Sequence, residues 1–128
     1  MITTEKKQMN LLPDLPENFE NWEKAEKWLE QVGCTLTFEP EVEDTSPDDM
    51  FDWDYGNEKT PEENRADFYK EWEEVGFAWW FCAKVSISFN GIEGTNYLGG
   101  CNYSSFEEFK NQMDGYVYDM IHEAYGEI

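Results

Sequence analysis

Carboxylates are the side chains whose number and spacing could do chemistry in this sequence. Residues 39–76 contain 15 Asp or Glu residues and only three basic residues, Lys59, Arg65 and Lys70, which gives a net charge of −12 within 38 residues. Like charges repel by about 1 kcal/mol per close pair in water, and by more near apolar groups. A sequence that keeps this cost is expected to use the negative field that the acids create.

The spacing of these acids predicts rows of negative charge. Glu39, Glu41 and Glu43 alternate, so they would share one face of an extended segment at intervals of about 6.7 Å. A second row follows one side of a predicted helix at intervals of about 6 Å. Its members are Glu63, Asp67, Glu71 and Glu74. Such intervals resemble those of successive phosphates on a nucleic-acid strand, so a protein that binds DNA or RNA through Lys and Arg could accept this surface as a decoy.

Aromatic side chains lie among these acids, between Asp48 and Tyr55. Large aromatic residues among charges in a loop are typical of interface anchors. The alternative is that Phe51 and Trp53 dock the loop onto the core, and both roles can hold at once, with one ring buried and another exposed. The predicted partner-binding residues are therefore Phe51, Trp53 and Tyr55 together with Glu39, Glu41, Glu43, Asp44, Asp48, Asp49, Asp52, Asp54, Glu63, Asp67, Glu71 and Glu74.

Catalytic machinery is not indicated by any motif. The one histidine, His122, lies in a predicted helix and lacks the second histidine of a zinc-protease motif. A nucleophilic pair of His122 with Cys82 or Cys101 is a weaker interpretation than a structural side chain near a helix end. The sequence has no nucleophile elbow, phosphate loop or dinucleotide-binding fingerprint. We therefore predict that the protein is not an enzyme and uses no cofactor.

A calcium-loop pattern occurs in the acidic region but fits poorly. The residues at its positions 1, 3, 5, 7, 9 and 12 are Asp52, Asp54, Gly56, Glu58, Thr60 and Glu63. The template needs glycine at position 6, where this chain has Asn57, and Pro61 starts a helix too early. The three cysteines, Cys34, Cys82 and Cys101, fit neither a zinc site nor a disulfide framework. The sequence thus predicts no metal site and three free, mostly buried thiols.

Length and composition favour one folded domain. The chain has 128 residues, of which 40% are hydrophobic and 17% aromatic, so it can bury a core. Its formal net charge of −20 disfavours direct binding to nucleic acids or anionic lipids. No apolar run approaches the roughly 20 residues that a membrane-spanning helix needs. Since no signal peptide opens the chain, we expect a cytoplasmic protein, in the host cytoplasm if a phage encodes it.

Hydrophobic periodicity predicts the elements that must position these residues. Residues 1–18 are predicted to be an arm that packs through its leucines, and residues 19–128 a single acidic domain. The first helix is predicted over 21–32, where apolar residues recur at helical spacing and Gly33 follows. An alternating stretch predicts a short strand near 34–43.

A second helix has the clearest boundaries in the sequence. It is predicted over 61–75, where Thr60 and Glu63 have the spacing of a capping box. Between the short strand and this helix the chain is acidic and is predicted to be irregular, with Pro40 and Pro47 as breakers.

A hairpin over 77–103 is predicted to form the centre of the sheet. Its first strand runs from Phe77 to Phe89 with apolar residues on one face. Asn90-Gly91 is a strong turn signal, although the glycines that follow leave a longer loop open.

The last helix is predicted over 105–124, with a kink or a split at Asp114-Gly115. The predicted fold is α+β, with a small antiparallel sheet packed against about three helices. The sheet would consist of the central hairpin 77–103 and the short strand near 34–43, and the helices would be 21–32, 61–75 and 105–124.

The function predicted from these features is inhibition by charge mimicry. Small size, extreme acidity and absent catalytic motifs are shared, in general character only, with DNA-mimic anti-restriction and anti-CRISPR proteins of phages and mobile elements. The expected partner is a basic nucleic-acid-binding protein, either a nuclease or an effector complex, and the chain would be a monomer or a small homo-oligomer. An immunity protein or antitoxin that neutralises a nuclease toxin is the alternative. A generic acidic surface that serves solubility, a small calcium-binding protein and a small enzyme remain weaker alternatives.

Overall fold

Five α-helices and a three-stranded antiparallel sheet make up residues 12–128, which the computed structural model describes. In chain order the elements are α1 (Trp22–Gln31), β1 (Thr35–Glu41), α2 (Pro47–Met50), α3 (Pro61–Val75), a 3₁₀ turn (Phe77–Trp79), β2 (Phe81–Phe89), β3 (Ile92–Cys101), α4 (Phe106–Lys110) and α5 (Tyr118–Gly126). The predicted α+β fold is confirmed. The first 11 residues of the predicted arm lie outside the described residues.

The capping residues of α1 set its bounds. The Asn21 side chain accepts a hydrogen bond from the Lys24 N–H at 2.9 Å, which satisfies a free donor at the start of the helix. Gly33 takes a φ of +90°, the left-handed conformation that favours glycine, and the chain turns into β1. The helix predicted over 21–32 is confirmed.

β2 is the central strand and pairs antiparallel with β1 on one side and β3 on the other. The turn between β2 and β3 consists of Asn90 and Gly91 alone, because Phe89 pairs with Ile92. Both turn residues have positive φ, +52° and +81°, as the common two-residue hairpin requires. The shorter of the two loops that the sequence allowed is the one that forms.

A β-bulge interrupts β3 at its glycine pair. Phe81 pairs with Cys101 and Ala83 with Leu98, so β3 has one residue more than β2 between these pairs. Gly100 supplies the positive φ of +65°. A carboxylate from the acidic region binds the N–H of Gly100.

Pro40 lies inside β1 and does not break the strand, contrary to the prediction. It pairs with Ala83 in the ladder. Because β1 is an edge strand, a proline nitrogen that points away from β2 costs no ladder hydrogen bond. Pro47 likewise begins α2, a single turn within the stretch that was predicted to be irregular.

The main apolar core lies on one face of the sheet, where α1, α4 and α5 supply its other side. β2 buries four side chains of this face completely: Phe81, Ala83, Val85 and Ile87. α5 approaches β3 so closely that a Cβ at Gly94 would lie 1.9 Å from the carbonyl oxygen of Ala124. Only glycine allows this approach.

A second, separate cluster consists of aromatic side chains and supports α3. Its buried members are Trp53, Phe68 and Trp80, and its partly buried members are Phe51, Tyr69, Trp72 and Trp79. The Phe68 ring lies at its centre, 5.3 Å from Trp53 and 5.9 Å from Trp80 between ring centroids. We call this group the aromatic cluster. It joins α3 to the loop before it and to the turn that leads into β2.

The strand predicted from Phe77 begins four residues later, at Phe81. Gly76, with a φ of +91°, turns the chain out of α3, and a 3₁₀ turn follows. Trp79 and Trp80 both belong to the aromatic cluster, whereas successive side chains of a strand point to opposite faces. The aromatic cluster therefore keeps this stretch out of the sheet.

The helix predicted over 105–124 is split, as the Asp114-Gly115 pair indicated. Gly115 has non-helical backbone angles between α4 and α5. Ser105 begins α4 by accepting a hydrogen bond from the Glu108 N–H at 3.0 Å. The split lets α4 and α5 follow the core in two directions.

The described part of the predicted arm packs against α5. Leu12 and Leu15 contact the main core. The hydroxyl of Tyr118 donates a hydrogen bond to the carbonyl oxygen of Pro16. These contacts attach residues 12–16 to the domain.

Candidate partner-binding surface

α3 carries the predicted row of acids on its exposed side. Its start is a capping box, in which the Glu63 N–H donates to Thr60 Oγ1 at 3.2 Å and the Thr60 N–H donates to Glu63 Oε1 at 2.9 Å. Phe68 and Asn64 are its buried residues and fix how the helix is turned. The exposed row consists of Glu63, Asp67, Glu71 and Glu74.

A buried amide holds the loop that precedes α3. Asn64 Nδ2 donates to the carbonyl oxygen of Trp53 at 2.9 Å and to Asn57 Oδ1 at 3.2 Å. Asn57 Nδ2 donates back to Asn64 Oδ1 at 3.2 Å. Trp53 has a φ of +67°, which disfavours a bulky residue, and the burial of its ring offsets that cost.

Arg65 joins α3 to α2 through one of the predicted contact acids. Its Nε and Nη2 donate to the two carboxylate oxygens of Asp48 at 2.7 and 2.8 Å, and its guanidinium carbon lies 4.7 Å from the centroid of the Tyr69 ring. Hydrogen bonds from Arg65, and then from Trp53, hold the pKa of Asp48 below its ordinary value. Asp48 is thus neutralised within the chain.

Lys59 neutralises a second predicted acid. Its Nζ lies 2.5 Å from Oδ2 of Asp67, and this contact raises the pKa of Lys59. The acids that stay exposed before, within and after α2 include Asp44, Asp49, Asp52 and Asp54. Two of the three basic residues in this region therefore each form an ion pair with one carboxylate. Most of the negative charge of the region faces solvent.

The acids of β1 lie on the uncovered face of the sheet. Glu39 pairs across the ladder with Lys84, and its Oε1 lies 3.6 Å from the Lys84 Nζ. Glu41 is half-buried two residues further along. The alternation predicted for this row is confirmed as far as Glu41, where the strand ends.

Glu43, the third member of that row, serves the fold. Its Oε1 accepts a hydrogen bond from the Gly100 N–H at 2.6 Å, and its Oε2 accepts one from the Thr45 N–H at 2.9 Å. Burial acts to raise the pKa of Glu43, but the hydrogen bonds from both backbone groups outweigh it and lower the pKa. The carboxylate ties the acidic region to the bulge of β3, a role that the sequence did not reveal.

The aromatic residues of the loop divide between the two roles that the sequence left open. Trp53 is only 7% exposed and lies inside the aromatic cluster, so it is not a contact residue for a partner. Phe51 is half-buried in the same cluster. Tyr55 and Met50 are 52% and 51% exposed. One ring therefore anchors the loop, while two large side chains beside it face solvent.

A cleft of about 380 Å³ lies between α3 and the loop before it. The residues that line it include Tyr55, Lys59, Asp67, Glu71 and Trp79. We call it the α3 cleft. It combines carboxylates from the exposed row with three aromatic side chains, Tyr55, Phe68 and Trp79.

A second, shallower concavity of about 710 Å³ lies around α2. Asp48, Asp49 and Asp52 line it, and Tyr55 belongs to both concavities. The exposed acids therefore form two flanks that meet at one exposed tyrosine, Tyr55.

Cysteine, histidine and metal-ligating side chains are the other groups with chemical potential in residues 12–128. Within residues 12–128 no group of three or more His, Cys, Asp or Glu side chains is arranged to hold a metal ion. The three cysteines are free, and burial raises the pKa of Cys101 to about 12, so this thiol stays protonated at neutral pH. His122 is exposed on α5. What the surface offers is carboxylates and aromatic rings.

Comparison with protein-family models, with curated proteins and with solved structures finds no match. None of the helices between residues 12 and 128 has both the length and the apolar character needed to cross a membrane. Any functional assignment therefore depends on the chemistry of the surface.

Proposed function

We propose that this protein is an inhibitor that occupies the basic nucleic-acid-binding surface of another protein by presenting carboxylates in place of phosphates. The observation that carries the proposal is the net charge of −12 in residues 39–76. The exposed row on α3 and the acids around α2 support it, because only Asp48 and Asp67 are paired with bases of this region. Host defence proteins that act on nucleic acids, of the CRISPR or restriction type, have the required basic grooves.

Such an inhibitor works by electrostatics and needs no catalytic residue. Attraction between an acidic ligand and a basic groove speeds association and orients the encounter. Exposed apolar groups at the contact then slow dissociation, a role that suits Tyr55 and Met50. The proposed place of action is the cytoplasm, where nucleic-acid-binding effectors work.

Competition by nucleic acid tests the proposal. The immobilised protein is used to capture proteins from bacterial lysates, and short duplex DNA or transfer RNA is then added. We expect the captured protein to be a basic nucleic-acid-binding protein that the nucleic acid displaces. The α3 variant, with Glu63→Gln, Asp67→Asn, Glu71→Gln and Glu74→Gln, should bind it about ten-fold more weakly and with a flatter salt dependence.

A matched variant on α1 and the residue before its N-cap controls for total charge. It carries Glu20→Gln, Glu23→Gln, Glu26→Gln and Glu30→Gln, so it removes as many charges from another part of the fold. Glutamine at position 63 keeps the capping box closed, and α3 should remain folded in both variants. Equal losses of binding in the two variants, or a captured protein that nucleic acid does not displace, would refute the proposal.

A further inference from the structure

The α3 cleft combines two features that together recognise one kind of side chain. Asp67 and Glu71 contribute carboxylates, and Tyr55 and Trp79 contribute aromatic rings. A guanidinium group is planar, forms paired hydrogen bonds to a carboxylate and stacks on aromatic rings, whereas an ammonium group does only part of this. We propose that the α3 cleft binds an arginine side chain of the partner protein. This assignment rests on the proposed function and names the chemistry that the surface recognises.

The chain already holds one of its own arginines by this combination. On the other flank of α3, the guanidinium of Arg65 makes two hydrogen bonds to Asp48 and lies over the ring of Tyr69. A carboxylate and a tyrosine, both half-exposed, suffice to fix it in a defined place. In the α3 cleft Glu71 and Tyr55 offer the same two groups without a guanidinium.

A cation is already seated in part of the α3 cleft. The ammonium of Lys59 lies 2.5 Å from Oδ2 of Asp67. Glu71, one helical turn further along, makes no ion pair with any residue of the described range 12–128. The cleft thus has one carboxylate that is neutralised internally and one that remains for a cation from outside.

Trp79 gives a second indication that the cleft lacks a polar partner. Its indole nitrogen is buried, yet it has no hydrogen-bond acceptor within residues 12–128. Buried donors are nearly always paired in folded proteins. Because this nitrogen has almost no solvent-exposed surface, the ring must turn toward the cleft before the backbone carbonyl oxygen of an arginine peptide can accept its hydrogen bond.

Binding of an oligo-arginine peptide tests the assignment directly. A fluorescently labelled peptide is titrated with the protein, and an oligo-lysine peptide of equal length serves as the comparison. We expect the arginine peptide to bind about three-fold more tightly, because only guanidinium groups stack on the rings. Equal affinity for the two peptides would overturn the assignment to arginine.

Two variants of α3 separate the cleft from the general negative field. Glu71→Gln and Glu73→Gln each remove one exposed charge from the same helix, but only Glu71 lines the cleft. We expect Glu71→Gln to weaken binding of the arginine peptide by about three- to ten-fold, and Glu73→Gln by less than two-fold. Equal effects would show that the peptide senses net charge only, and the cleft would then have no role.

Removal of the Lys59 ammonium is expected to strengthen binding of the arginine peptide, the opposite of the effect expected for Glu71→Gln. Lys59→Met frees Asp67 for the peptide, while Lys70→Met removes an equal charge from an exposed position on α3. Binding should become tighter in Lys59→Met than in Lys70→Met, and a reversed order would contradict the proposal. Failure of these peptide tests leaves the DNA-competition experiment free to succeed, since that experiment depends on the whole acidic surface.

Discussion

Single carboxylates on this surface serve different purposes, and Glu43 is the clearest example. It belongs by sequence to an alternating row with Glu39 and Glu41, yet its two oxygens accept backbone hydrogen bonds from Gly100 and Thr45. Hydrogen bonds to a charged acceptor are worth about 1.5–3 kcal/mol, more than those between neutral groups. Glu43 therefore stabilises the bulge of β3 rather than contributing to the exposed field.

The role of Glu43 gives a prediction for pH dependence. Because its pKa is lowered in the folded state, its contribution to stability is present above the unfolded-state pKa, near 4.3, and is lost as the pH falls through the lower folded-state value. We expect Glu43→Gln to lower the free energy of unfolding by about 1–2 kcal/mol at pH 7. The difference from the natural chain should shrink toward pH 3, as measured by urea unfolding followed by tryptophan fluorescence.

Glu41→Gln provides the control for that experiment. Glu41 lies two residues away and accepts no hydrogen bond from the bulge in the described structure. Its substitution should leave the pH dependence of stability close to that of the natural chain. If the two variants behave alike, Glu43 has no special bond to the bulge.

The residues that complete the site were hidden from the sequence because their partners are distant along the chain. Glu43 binds a group 57 residues later, and Arg65 binds a carboxylate 17 residues earlier. Asn64 lies one helical turn before Phe68, on the buried side of α3, and this spacing was the only available signal that its amide is buried. Charge and exposure of the α3 row were predictable, since they follow from helical spacing alone.

At the scale of elements, short sequence motifs correctly predicted those boundaries that depend on residues close together in the chain. The capping box of α3 and the Asn90-Gly91 turn lie where the sequence put them. The predicted start of β2 at Phe77 was wrong, because Trp79 and Trp80 pack into the aromatic cluster. That packing depends on α3 and on the loop before it. The alternation of apolar residues along the sequence gives no information about a cluster formed with distant residues.

The packing of α5 on β3 gives a prediction at this scale. A Cβ at Gly94 would lie 1.9 Å from the carbonyl oxygen of Ala124, which is backbone and cannot swing aside. Gly94→Ala should push α5 away from the sheet and cost about 3 kcal/mol of stability. The measurement is the free energy of unfolding in urea.

Gly126→Ala is the matched control, because a Cβ at that position meets no atom within 4 Å. It should change stability by less than about 1 kcal/mol, within the range of helix propensities. Comparable stabilities of the two variants would mean that α5 does not press on β3 as closely as described.

For the whole molecule, the negative charge far exceeds the positive charge that is available to pair with it. The basic residues of the described range form five ion pairs, each with a single carboxylate: Lys27 with Glu23, Lys59 with Asp67, Arg65 with Asp48, Lys84 with Glu39 and Lys110 with Glu107. These pairs cannot neutralise a net charge of −20. The excess is concentrated around α3, which is held to the fold by the aromatic cluster. A partner with a basic groove would relieve the repulsion that the free protein bears.

Salt should act on the free protein as a weak substitute for such a partner. Screening shortens the range of repulsion from about 30 Å at 0.01 M salt to below 10 Å above 0.1 M. We expect the melting temperature to rise by about 3–5 °C over this range. Neutralising Glu71, Glu73 and Glu74 with glutamine should raise it at low salt, because these acids also oppose the helix dipole at the C-terminal end of α3.

A second variant with three substitutions separates the effect of charge position on the melting temperature from the effect of charge amount. Glutamine at Glu17, Glu20 and Glu23 removes as many charges near the N-terminal end of α1, where negative groups favour the helix dipole. This variant should gain little or nothing at low salt, and the difference between the two variants should disappear at high salt as screening removes both effects. Equal gains in melting temperature would mean that the acids around α3 repel one another no more than acids elsewhere do. A melting temperature independent of salt would mean that ion pairs within the chain already compensate the repulsion.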